Sequence, residues 1–270
     1  MRVIAELVGV VAGGYLLLVG GMACFQRDMI YHPGRHVPDP AEVGLPEMVP
    51  VPVRAADGWV VTGWYAPPSD GRAPTIVLFH GNGGTLAARA RKARAFLDAG
   101  YGVYLAEYRG YGGNAGRPTE AGLYADARAV LQWLTTRGIP ESRLVLYGES
   151  LGSGVATQIA AERPDLVAVV LEAPFTRLPD LAPPYLLPGL AELLMVDKYD
   201  NAAKIAQVAA PLLIIHGDRD ETVPPAMGRA LLHSARTKTH GVFLPDAGHN
   251  DVWDHGGGEA VLEWLANLRR

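Results

Sequence analysis

Two hydrophobic patterns divide this chain. From residue 8 to residue 25 no charge interrupts an apolar run of eighteen residues, and thereafter the apolar runs are short and regularly spaced. A helix needs roughly 20 apolar residues to cross a bilayer, with about 17 as the lower limit. The first run therefore predicts an N-terminal anchor over residues 1–25. Glycine and aliphatic side chains surround it on all sides, so no polar face marks it as an amphipathic surface helix. A cleaved signal segment is the rival expectation, because small residues cluster at Gly20, Gly21 and Ala23. Arg2 stands before the run and Arg27 and Arg35 after it, so positive charge favours neither orientation.

Residues 26–48 are rich in Pro, His and Arg and read as a linker. Two β-rich stretches follow, 49–54 and 59–66, joined across Asp57-Gly58, a pair that favours a tight hairpin. Beyond residue 75, continuous apolar runs of strand length lie at 75–79, 102–106, 144–147, 167–171, 211–215 and 241–244. Such runs fit strands covered on both faces of a parallel sheet. Helical patterns at 86–99, 119–137, 151–163, 225–234 and 259–268 alternate with them. The whole of 49–270 is thus expected to form one α/β domain, a doubly wound and mostly parallel sheet opened by an antiparallel hairpin. The segment 174–201 breaks the rhythm. It is apolar yet interrupted by Pro179, Pro183, Pro184 and Pro188, as a lid over a pocket would be.

Composition narrows the function. A net charge of −4 with no basic stripe speaks against nucleic acid as a partner. Cys24 is the single cysteine, so neither an internal disulfide nor a cysteine-built metal site is expected. No metal-ligand spacing and no cofactor motif occurs.

Chemistry concentrates at Gly148-Glu149-Ser150-Leu151-Gly152, between a predicted strand and a predicted helix. A serine on such a turn is presented as a nucleophile, and the flanking glycines keep side chains off neighbouring backbone. With five serines and 32 glycines in 270 residues, chance supplies about 0.07 such matches. Serine needs a base, and the base an orienting acid. Asp220 follows the strand at 211–215 and His249 follows the strand at 241–244, so three loops converge on one sheet edge in the order Ser, Asp, His. Asp218 and Glu172 are the competing acids. His80 and His216 end strands before glycine and read as structural, and the other histidines as surface residues. Backbone amides of Leu151 and of Asn82, in the glycine-rich loop after residue 79, are the expected oxyanion donors.

Together these residues resemble the α/β-hydrolase superfamily across 49–270. The finer resemblance is to its membrane-anchored branch, which includes protein depalmitoylases and lysophospholipid lipases. It rests on the apolar N-terminus, Met29-Ile30-Tyr31, His80-Gly81-Asn82, Tyr108-Arg109-Gly110-Tyr111-Gly112, the serine elbow and Glu172-Ala173-Pro174-Phe175-Thr176. The resemblance implies the same catalytic Ser150, Asp220 and His249. The chain departs from it at Asn114, where serine is common, at the His-Pro after Tyr31, and in lacking a cysteine-rich terminus. The expected activity is hydrolysis of a carboxylic ester or thioester with a hydrophobic acyl part, needing no cofactor. A peptidase of the same fold is the alternative within enzymes, and a catalytically silent binding protein the alternative outside them.

Overall fold

Hydrophobic periodicity and strand pairing agree closely in the computed structural model, which describes residues 2–268; the expected outer limits at residues 1 and 270 lie outside the described residues. Eight strands form the main sheet: β1 (Val49–Arg54), β2 (Val60–Ala66), β3 (Thr75–Phe79), β4 (Gly102–Ala106), β5 (Leu144–Glu149), β6 (Ala168–Glu172), β7 (Leu212–Gly217) and β8 (Thr239–Leu244). Their order is β1-β2-β4-β3-β5-β6-β7-β8, antiparallel at β1/β2 and β2/β4 and parallel elsewhere. Pro50 and Pro52 lie on β1, an edge strand, where a missing N–H is tolerated.

The two faces explain the continuous apolar runs. Along β3, Ile76 and Leu78 enter one core while Val77 and Phe79 enter the other. The first core is covered by α2 (Ala90–Asp98) and α8 (Gly258–Leu268), the second by α3 (Glu120–Thr136), α4 (Leu151–Glu162) and α7 (Pro225–Ser234). Every residue of β3, β4, β5, β6 and β7 is buried. β8 differs from expectation. It begins at Thr239 and none of its residues is fully buried, because it is an edge strand with one neighbour.

The N-terminal helix α1 (Arg2–Ile30) is long and apolar enough to cross a membrane, and Val19 is its one buried residue. It runs five residues past the expected end at residue 25. Gln26 and Arg27 do not stop it, because both side chains find partners in the domain: Gln26 Nε2 donates to Leu194 O (3.1 Å) and Arg27 Nε to Asp197 Oδ2 (2.9 Å). The expected linker is likewise docked. Residues His32–Pro33 pair with Gly83–Gly84, and Gly112 N–H donates to Gly34 O. Between β6 and β7 the proline-broken insertion carries two short helices, α5 (Leu190–Leu194) and, at its end, α6 (Asn201–Lys204).

Candidate active site

The turn from β5 into α4 holds Ser150 at φ +47°, ψ −115°, a conformation that L residues rarely adopt. Its neighbours allow it. A Cβ on Gly148 would lie 2.5 Å from Gly152 O, and one on Gly152 would collide with the Phe79 carbonyl. Ser150 N–H donates to Glu172 O on the adjacent strand (2.9 Å), which ties the strained turn to the sheet.

His249 reaches this turn from the loop after β8. Its Nε2 is 2.9 Å from Ser150 Oγ, and its Nδ1 is 2.7 Å from Asp220 Oδ2. Asp220 is buried in the loop after β7 and accepts further bonds. Oδ1 takes the N–H groups of Thr222 and Val223 (2.8 Å each), and Oδ2 takes Nε2 of His216 (3.1 Å). Burial favours the neutral acid, but the bonds from His216, His249 and Val223 outweigh it and hold the carboxyl well below the usual range. His216 Nδ1 has no hydrogen-bond partner, so the ring carries its proton on Nε2 and donates it. The sequence marks His216 as structural, and its i,i+4 spacing to Asp220 was the available signal for this contact.

The competing acids are engaged elsewhere. Asp218 pairs with Arg229 at the surface (2.6 Å). Glu172 bonds Lys92 Nζ (2.6 Å) and the Tyr147 hydroxyl. Glu149 and Glu172 are register partners on β5 and β6, and Lys92 lies between them. Burial opposes ionisation of Glu149, but Lys92 and Arg89 bring its carboxyl down to about 2. This group of two buried carboxylates and two part-buried cations was not legible in the sequence.

Of the expected oxyanion residues, Leu151 opens α4, where a backbone N–H has no carbonyl one turn earlier to bond. Asn82 is held from several sides: its carbonyl accepts from His32 N–H (2.9 Å) and Tyr111 Oη (2.7 Å), and its Nδ2 donates to Ile30 O (3.2 Å). Below it, the buried His80 ring spans Glu107 (2.6 Å) and Gly81 O (2.7 Å) while Tyr108 Oη bonds His80 O. The Tyr-Arg-Gly-Tyr-Gly stretch thus fixes the loop that carries Asn82.

Two cavities meet at Ser150, Asn82, His249 and Asn250. One, of about 410 Å³, is polar and walled by Arg89, Lys92, Glu149 and Glu172. The other, of about 480 Å³, is apolar and lies under the insertion. Its walls include Phe175, Leu181 and Leu186, and also Val19, Met22 and Ile30 of α1. The expected anchor helix is therefore a wall of the pocket beside the serine. Among the described residues no group of acidic, His and Cys side chains could hold a metal ion.

Known proteins resemble this chain over most of its length. The family model for serine aminopeptidase S33 matches residues 71–196. An uncharacterized protein of Mycobacterium tuberculosis is 38% identical over 251 residues, spanning 92% of this chain and 88% of its own. The α/β-hydrolase domain-containing protein WAV2 of Arabidopsis thaliana is 30% identical, spanning 97% and 91%. Among solved structures, the Pyrococcus furiosus esterase Pf2001 superposes with a TM-score of 0.71 at 21% identity, covering 87% of this chain and 98% of that one.

Proposed function

The chain belongs to the α/β-hydrolase superfamily, and from that premise we propose that it is a membrane-anchored serine hydrolase cleaving carboxylic esters or thioesters of apolar acyl groups. The observation that carries the reading is the hydrogen-bonded row Ser150–His249–Asp220 at the mouth of an apolar cavity.

In this mechanism Ser150 Oγ attacks the acyl carbonyl carbon as His249 Nε2 takes its proton. Asp220 fixes the tautomer of His249 and stabilises the imidazolium. The amides of Leu151 and Asn82 receive the developing oxyanion. Collapse expels the alcohol or thiol, which takes the proton from His249 and leaves an acyl ester on Ser150. Water then attacks that ester, with His249 as base, and the carboxylic acid departs. The apolar cavity suits the acyl part and the polar one the leaving group. A volume of about 480 Å³ falls in the range of roughly 300–1,000 Å³ usual for small-molecule sites.

A carboxylate without a cation partner is the strongest acceptor a site can offer to the ammonium of an aminopeptidase substrate. Here Glu149 and Glu172 are both ion-paired to Lys92, and Glu149 also to Arg89, which favours the esterase reading. We read α1 as an uncleaved anchor. Its 29 residues extend about 43 Å at 1.5 Å each, more than the roughly 30 Å of a bilayer core. Cleavage near Cys24 would also remove Val19 and Met22 from the pocket wall.

The test uses full-length protein in detergent micelles. A fluorophosphonate should label the parent and not Ser150→Ala, and hydrolysis of a series of acyl esters should rise with chain length until the cavity is filled. Labelling that survives Ser150→Ala, or activity within a few-fold of the parent, would place the nucleophile elsewhere.

A further inference from the structure

The contacts between α1 and the insertion set a depth scale. If the uncharged run 8–25 fills the hydrocarbon layer, Phe25 marks its boundary on the domain side. Tyr15, ten residues earlier in the helix, then lies about 15 Å inside, near the middle of a layer roughly 30 Å thick. The insertion reaches that level: Leu187 N–H donates to Tyr15 Oη (2.8 Å). It returns to the boundary where Val196 N–H donates to Gln26 Oε1 (2.7 Å) and Asp197 pairs with Arg27. Tilting the helix scales these depths together.

What the insertion exposes fits that placement. Residues 181–191 carry no charge. Tyr185, Leu187, Leu193 and Val196 point outward with 59–76% of their surface free. Backbone in hydrocarbon must keep its donors satisfied. Pro183, Pro184 and Pro188 have no N–H to satisfy, the N–H groups of Ala182, Leu186, Leu187 and Leu190 are bonded, and from 182 to 190 those of Tyr185 and Gly189 alone have no bond. The prolines that break the helical rhythm thus remove donors where water is absent.

The cavity shares the scale. Val19 and Met22 stand roughly 9 and 5 Å inside the boundary, whereas Ile30, which holds Asn82 beside Ser150, stands about 7 Å outside it, at headgroup height. An acyl amphiphile in a leaflet has the same layout, with its carbonyl near the headgroups and its chain below.

We propose that the outer face of the insertion is immersed in the bilayer beside α1, and that the acyl chain enters the cavity sideways from the leaflet. This rests on the anchored-hydrolase reading above and names its substrate as a leaflet-resident acyl ester or thioester.

The experiment uses full-length protein in phosphatidylcholine vesicles, with Cys24→Ser and a single nitrobenzoxadiazole-labelled cysteine at Leu187, Val196 or Arg72. Arg72 is exposed just before β3, at the sheet end opposite the site. The Leu187 probe should be quenched more by lipid spin-labelled at acyl carbon 12 than at carbon 5. The Val196 probe should show the reverse order, and the Arg72 probe should respond to aqueous iodide alone. A Leu187 probe as open to iodide as the Arg72 probe overturns the proposal. As a second arm, Leu193→Lys puts a charge in hydrocarbon and should lower hydrolysis of a long-chain ester in vesicles by at least about tenfold. Fluorophosphonate labelling of Ser150 should be unchanged. Undiminished hydrolysis by that variant overturns the entry route, whereas a parent that fails to label indicts the hydrolase reading and leaves the depth result standing.

Discussion

Asp220→Asn isolates what the proposed orienting carboxylate does. The native group accepts four bonds, two amides on Oδ1 and two imidazoles on Oδ2. An asparagine has one oxygen and one NH₂ for these four donors. With its oxygen toward Thr222 and Val223, its NH₂ meets Nε2–H of His216 and turns His249 Nδ1 into an acceptor. The remaining His249 proton then sits on Nε2, and the ring can no longer take one from Ser150. With the amide flipped, NH₂ opposes two backbone N–H groups. Either arrangement leaves donors unpaired, at about 1–3 kcal/mol of stability. The tautomer error costs about 10⁴ in kcat, or about 5.5 kcal/mol of transition-state stabilisation. Because burial is outweighed by those bonds, Asp220 has a depressed folded pKa, so its contribution to stability is present above the unfolded value of about 3.9 and is lost as pH falls. The melting difference between parent and variant should therefore shrink below about pH 4. The measurements are kcat on a short-chain nitrophenyl ester and melting curves across pH, with Asp218→Asn and Glu172→Gln alongside. Activity of Asp220→Asn within tenfold of the parent, or an equal loss in Asp218→Asn, refutes the reasoning.

Two other substitutions test the scaffold. Gly152→Ala would drive a methyl into the Phe79 carbonyl and should lower the melting point by about 10 °C, while Gly20→Ala, with open space around it, should leave it unchanged; equal melting points would mean the elbow has room to spare. Asp197→Ala strips an acceptor from Arg27, Tyr31 and the Glu120 amide and should destabilise by about 2–4 kcal/mol. It should also flatten the acyl-length preference yet keep short-ester activity, and a preference like the parent's would show that Asp197 does not hold α1 against the insertion.

What could be read from the sequence was local. The elbow was legible because its two glycines flank a serine between a strand run and a helix run, although only Gly148 answers to a clash within a few residues and Gly152 faces the distant Phe79 carbonyl. The central strands were legible because Ile76 to Phe79 alternate between two cores. Asp220 and His249 followed from loop position along the chain. What escaped was contact between distant segments. Nothing in the residues near Tyr31 announces that its hydroxyl meets Asp197 and Tyr199, more than 160 positions away. Nor do the residues near Lys92 announce that its ammonium lies between two glutamates from different strands. Arg27 looked like the end of a helix, and its partner lets the helix continue. A chain starting at Met48 would keep Ser150, Asp220 and His249 but lose Val19, Met22 and Ile30 from the cavity.

That shared wall has a kinetic meaning. With part of its pocket made from its own anchor, the proposed enzyme carries its site wherever the lipid carries α1, and it meets substrate by diffusion in a plane. The quantity that saturates it is then the mole fraction of substrate in the surface rather than its bulk molarity. Diluting a vesicle suspension with buffer should leave the rate per enzyme unchanged. Diluting the same substrate with inert lipid should slow it.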